Sequence, residues 1–310
     1  MNTQSDALPE PSAESQVLAM AQQPRPLYWS VRRELWENRS IYAAPLSVAA
    51  VILSGFLIRA HRLPQTLQSA LTMDPEHQRH TIILPYDVAA ALILLTAILV
   101  GGFYCLDALY GERRDRSILF WKSLPVSDLT TVLAKVSIPF VVLPAFIFVL
   151  IVATQIIMLL INTMVLAGHG LSATPLWTQL KFSRSTLALM YGLTTITLWH
   201  APIYSWFLLV SAWARRTAFL WAVLPFFILA AVEKIAFNTH HLLNLIVYRL
   251  FGWFSQGFTP PLPNGTAALD PLDLLTPTRF LATPGLWLGL IAAALFLFAA
   301  ARMRRQREPI

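Results

Sequence analysis

From Val88 to Leu106 the chain carries no charged residue, and from Val136 to Gly168 it again carries none. A helix facing water needs a polar side, so apolar runs of this length belong inside a bilayer. About 20 such residues cross the hydrocarbon layer. On that measure six stretches are predicted to span: 41–58, 86–108, 130–166, 186–213, 217–237 and 284–302. The third is longer than one crossing, and Pro139 and Pro144 predict a kink in it. Only 13% of the residues are charged, where soluble domains carry about 25%. Spanning backbone must satisfy its own polar groups, which predicts an all-α integral membrane protein with six transmembrane helices.

The connecting segments set the orientation. Segments alternate in basic content: fifteen lysines and arginines lie on one set, including Arg25, Arg32, Arg33, Arg39, Arg215, Arg216 and Arg302, and eight on the other. The basic side is expected to face the cytoplasm, with both termini there. The net charge of +7 is therefore scattered over short loops. It makes no single basic face, which argues against nucleic acid as a partner.

Four further segments are assigned. Residues 1–26 are polar, lack the basic start and apolar stretch of a signal peptide, and are expected to form a disordered cytoplasmic tail. Residues 27–40 are expected to form an N-terminal interfacial helix, with Leu27, Tyr28, Val31, Leu35 and Trp36 near one face. They precede the transmembrane domain, 41–302, and a basic cytoplasmic tail, 303–310. Between spans five and six lies an apolar outer loop. Leu242 to Phe258 is apolar around Arg249, and Pro260, Pro261, Pro263 and Gly265 follow. This loop is either a re-entrant or interfacial helix or a lid on the spans.

Most catalytic patterns are missing. No phosphate-binding loop can be written around Lys122, Lys135, Lys181 or Lys234, and no nucleophile elbow or zinc helix occurs. His77, His80, His240 and His241 read as loop residues, and the lone Cys105 as packing. Polar groups within spans are costly there. His200, two residues before Pro202, either lines a path or hinge or bonds a neighbouring helix. Glu233, at the end of the fifth span, is a second candidate pathway or gating residue.

The most informative segment joins spans two and three: YGERRDRSILFWKSLPVSDLTTVLAK, from Tyr110 to Lys135. Pro125 ends one helix, and Ser127 can cap the next with Asp128 in its first turn. A topology signal needs only the arginines. The added acids and the apolar Ile118, Leu119, Phe120 and Trp121 predict a cytoplasmic docking helix.

Glu112, Leu124, Pro125, Val126, Ser127 and Lys135 resemble the pattern of type-2 ABC (ATP-binding-cassette) export permeases. Asp115, Arg116 and Ser117 stand where that family usually has a small pair. The interfacial helix, six spans and apolar loop before the last span resemble it as well. The resemblance implies a permease subunit in the bacterial cytoplasmic (inner) membrane, dimerised with a second copy or a related permease. Two soluble ATPase subunits would carry ATP and Mg; this chain would hold no cofactor or metal and would not itself be an enzyme. The stretch between spans two and three would be the coupling helix. Its ATPase contacts would be Glu112, Arg113, Arg114, Asp115, Arg116, Ser117, Phe120, Trp121 and Lys122. Substrates would leave from the cytoplasm or inner leaflet. Two other readings stay open: an ion-coupled secondary transporter, and a membrane sensor coupled to an ABC ATPase.

Overall fold

An apolar backbone stretch in lipid must bond to itself, and the helix does so within one segment. The computed structural model of the protein describes residues 26–71, 73–115, 127–259 and 270–306. The expectations for residues 1–25, for Arg116 to Lys122, for Pro260 to Gly265 and for residues 307–310 fall outside these. Helices account for nearly all of the described residues, and the one extended pairing among them is an isolated bridge between Phe258 and Leu275.

Helix α1 (Pro26–Glu37) precedes the first long helix, α2 (Ser40–Arg59). A short 3-10 turn (Ala60–Arg62) and α3 (Leu63–Leu71) lead to α4 (Pro75–Asp107), and α5 (Tyr110–Arg114) follows. The third long run comprises α6 (Asp128–Ser137), a π-helical turn (Ile138–Val142) and α7 (Leu143–Gly168). Then come α8 (Thr174–Leu180), α9 (Phe182–Trp213), α10 (Ala218–Phe237), α11 (His241–Gly257), α12 (Pro277–Ala282) and α13 (Pro284–Gln306). Six helices are long and apolar enough to cross a membrane, one for each predicted span.

Local chemistry explains several boundaries. The Ser127 side chain accepts a hydrogen bond from Thr130 N at 3.1 Å, capping α6 as its sequence predicts. The π turn falls at Pro139, where a missing N–H breaks the ordinary ladder. Asn238 ends α10 in the left-handed conformation, φ 52°, which asparagine tolerates better than most residues.

Two of the connecting regions are largely helical. Residues 59–86 form no open connection, because the 3-10 turn, α3 and the first turns of α4 fill most of it. Pro75 at the first turn is preorganised for helix, and the span behind it supplies the nucleus. His77 and His80 accordingly lie on α4. The segment after Phe237 becomes the 17-residue α11.

The main core joins α2, α4, α7 and α9 through Ile41, Ile93, Ile138, Ile147, Ile151 and Leu208, all at most 1% exposed. A second core, around Tyr86, Met158, Leu159 and Leu176, lies towards the other end. Helix α13 runs along α9. Large apolar side chains on the outside, among them Phe103, Val149, Met164, Leu288 and Phe298, are what a bilayer would cover. Five features carry the arginine-rich connections and gather at one end, called here the basic end: α1, α5, the start of α6, and the ends of α9 and α13.

Candidate functional site

The basic end holds a cluster of charges that are buried rather than solvated. Helix α1 turns Val31 and Leu35 towards the core and, with them, Glu34, which is fully buried. Its carboxylate accepts from Lys135 Nζ at 2.9 Å, from Arg33 Nη2 at 2.8 Å and from Tyr104 Oη at 2.9 Å. Glu112, on α5, shares two of these donors: Arg33 Nη2 at 3.2 Å and Lys135 Nζ at 3.1 Å. Its other oxygen accepts from Arg304 Nη2 at 3.2 Å. Arg304 then reaches Asp128 at 2.8 Å. Three cations therefore face three anions, and they tie together α1, α5, α6 and α13, with α4 joined through Tyr104.

Such a cluster is poor at adding net stability, because desolvating each ion costs several kcal/mol. It is strong at fixing geometry, since removal of any member leaves another charge buried and unmatched. Burial pushes the Glu34 carboxyl up, but Lys135 and Arg33 outweigh it and hold the group below the usual carboxylate range. Glu37, at the edge, goes the other way: its partial burial outweighs the nearby Arg33.

A second anchor lies beside the first. The break between α4 and α5 is held by Ser211 Oγ, which accepts from Leu109 N at 2.9 Å and Tyr110 N at 2.8 Å. Arg113 folds back onto the carbonyls of Ser211 and Ala214. These carbonyls belong to the last turn of α9, whose acceptors have no partner within the helix.

The structure thus divides the residues that sequence reasoning grouped as a docking surface. Glu112 and Arg113 face inward, at 8% and 3% exposure. Their acid and guanidinium are engaged inside the protein, with Arg33, Lys135 and Arg304 on one side and the end of α9 on the other. Arg114 and Asp115 are exposed and pair with each other at 3.1 Å. Arg116, Ser117, Phe120, Trp121 and Lys122 lie outside the described residues. A groove of about 900 Å³ opens beside the cluster, lined by Asp128, Leu129, Phe298, Arg302 and Arg305.

The candidate gating residues lie elsewhere and do not meet. His200 is buried within α9, with Nδ1 2.9 Å from Ile196 O, and Pro202 sits in the same unbroken helix. Glu233 accepts from His241 N at 2.7 Å and Leu242 N at 2.8 Å, and so caps the start of α11.

Sequence reasoning missed Glu34 as a site residue, and took Arg304 only as a basic flank. A signal for Glu34 was present: it stands beside Val31 and Leu35 on the apolar side of an amphipathic helix, where an acid needs a buried partner.

Among the described residues six helices are long and apolar enough to cross a membrane, which is the make-up of an integral membrane protein. The chain matches no family model, no curated protein and no solved structure.

Proposed function

We propose that the chain is the membrane-spanning subunit of an ATP-driven exporter of the type-2 ABC kind, with its basic end in the cytoplasm. One observation carries this reading: the segment that begins at α5 is fixed by Glu112 to the helix before the first span, to the start of the third span and to the end of the sixth. A push on that segment would be transmitted to α1, α6 and α13 together, because their charges are mutually dependent. A loop that only marked topology would need no such joint.

In this reading a soluble ATPase binds the exposed Arg114 and Asp115 and the stretch of sequence that follows them. It holds ATP and Mg, while this chain holds neither. Two ATPase copies and two permease subunits complete the assembly in the bacterial cytoplasmic membrane. Helix α1 lies in the interface, and its exposed Tyr28, Trp29 and Trp36 suit the headgroup layer.

The test is purification of the tagged protein from native membranes in mild detergent, with mass spectrometry of what accompanies it. A stoichiometric ATPase is expected, and charge reversal of Arg114 should lower its stimulated turnover without loss of the folded permease. Recovery of the bare chain even after cross-linking would overturn the proposal.

A further inference from the structure

Far from the basic end, α2, α4 and α7 diverge around a cleft of about 490 Å³. Its size is that of a small-molecule site. One part of its wall is hydrocarbon: Ile52, Phe56, Val88, Leu92 and Met158. The other part is polar, formed by Arg59, Thr66, His80, Tyr86 and Asn162, and no carboxylate lines it among the described residues.

Three observations indicate that something occupies it. Asn162 is 2% exposed. Its Nδ2 donates to Tyr86 Oη at 2.9 Å, but its Oδ1 has no partner among the described residues. Whichever way the amide is turned, one buried polar end is left over, which is costly unless a ligand supplies the bond. Gly55 sits within α2, where glycine costs about 1 kcal/mol relative to alanine. A Cβ built there meets nothing within 4 Å, so this glycine makes room for no part of the protein itself. Arg59 and His80 are both exposed on the lining, and neither has an ion pair among the described residues.

Depth decides the class of ligand. Helix α4 has 33 residues, about 50 Å of helix, against about 30 Å of hydrocarbon. Counting about 20 residues from its Asp107 end reaches Asp87. Val88 and Leu92 therefore lie at acyl-chain depth, and Tyr86, Asn162 and His80 at headgroup depth or beyond. The geometry points to a binding site for one anionic, hydroxyl-bearing phospholipid from the leaflet at this end. An acyl chain lies along Ile52, Gly55 and Leu92, the phosphate faces Arg59 and His80, and a headgroup hydroxyl donates to Asn162. This site does not rest on the export reading.

The test uses the full chain in neutral detergent and native mass spectrometry, titrated with phosphatidylglycerol or with phosphatidylcholine of identical acyl chains. The wild type should retain one phosphatidylglycerol about ten-fold more tightly than phosphatidylcholine, the scale of one charge-assisted contact. Gly55→Phe, which enters open space, should abolish retention of both lipids. Arg59→Gln should narrow the preference between them, and Asn162→Leu should weaken phosphatidylglycerol alone. If Gly55→Phe does not fold, those last two variants decide. Equal retention of the two lipids by the wild type, or retention indifferent to all three substitutions, overturns the proposal. So does a wild-type dimer that Gly55→Phe converts to a monomer with its lipid unchanged, since a second copy would then be covering the cleft.

Discussion

At the basic end α1 is joined to the spans by Glu34, Arg33 and Lys135, with bonds reaching α4 and, through Glu112, α13. At the opposite end α11 is joined to the spans by shape. Arg249 lies 5.0 Å above the buried Trp199 ring and donates to Gly285 O at 3.0 Å. Its guanidinium also occupies the space that a side chain at Gly289 would need. Tyr248 packs edge-on against the same Trp199, at 5.2 Å between ring centres. The first joint depends on every charge being matched, and the second on particular side chains being absent. An ionic joint responds to charge and pH, whereas a steric joint responds to volume. This contrast makes the two ends separately testable.

The largest effect should come from Lys135→Met, which leaves Glu34 and Glu112 to share Arg33 alone. A loss of about 3–5 kcal/mol is expected, seen as poor accumulation and a low melting temperature in fluorescence-detected size exclusion. Adding Glu34→Gln to Lys135→Met, which takes out one anion with the one cation, should recover much of that loss. If the double variant is no better than the single one, the charges are not coupled.

Next in size is Gly289→Val. Overpacking of this kind costs about 1–3 kcal/mol, and the damage should stay at the α11 end. Limited proteolysis should cut near α11 while the native Cys105, buried beside Tyr104 at the basic end, stays protected from thiol reagents. Equal exposure of both ends would show that the joints are not independent.

The pH response should separate the two ends more gently. Glu34 is depressed in the folded state, so its contribution is complete above the ordinary carboxylate value of about 4.3 and is lost as pH falls below it. Melting temperature should be level from neutral pH down to about 5 and then decline. Glu34→Gln should flatten that decline, while Gly289→Val should leave its shape unchanged. The smallest effect belongs to Glu233→Gln. It should speed hydrogen exchange of the first amides of α11 and leave the melting temperature where it was.

The six spans were legible because each is a long and mostly apolar run, a signal contained within one stretch of sequence. The Ser127 cap was legible for the same reason: donor and acceptor are three residues apart. Arg113 was not. Arginine in a charged loop reads as exposed, and nothing local shows that the end of α9 will bring two unsatisfied carbonyls to it. The Glu34 joint was hidden by distance along the chain, since its bonds cross 70 residues to Tyr104 and 101 to Lys135. Helix α11 was half legible. Its apolar run was plain, but the choice between a membrane-inserted element and a lid turned on where Arg249 would find acceptors.

The π turn at Ile138–Val142 lies between Lys135 and the apolar length of α7. An i→i+5 turn holds one residue more than an α turn, and each residue of a helix advances it by about 100°. The extra residue therefore works as a phase shifter. It sets the azimuth of Asp128 and Lys135 independently of the face that Ile147 and Ile151 present to the core. Removing one residue there would leave the crossing almost the same length but rotate the charged turn away from Glu34, Glu112 and Arg304. Migration of the bulge along the helix would rotate only the turns it passes, a stepwise rather than elastic way for this helix to change its facing.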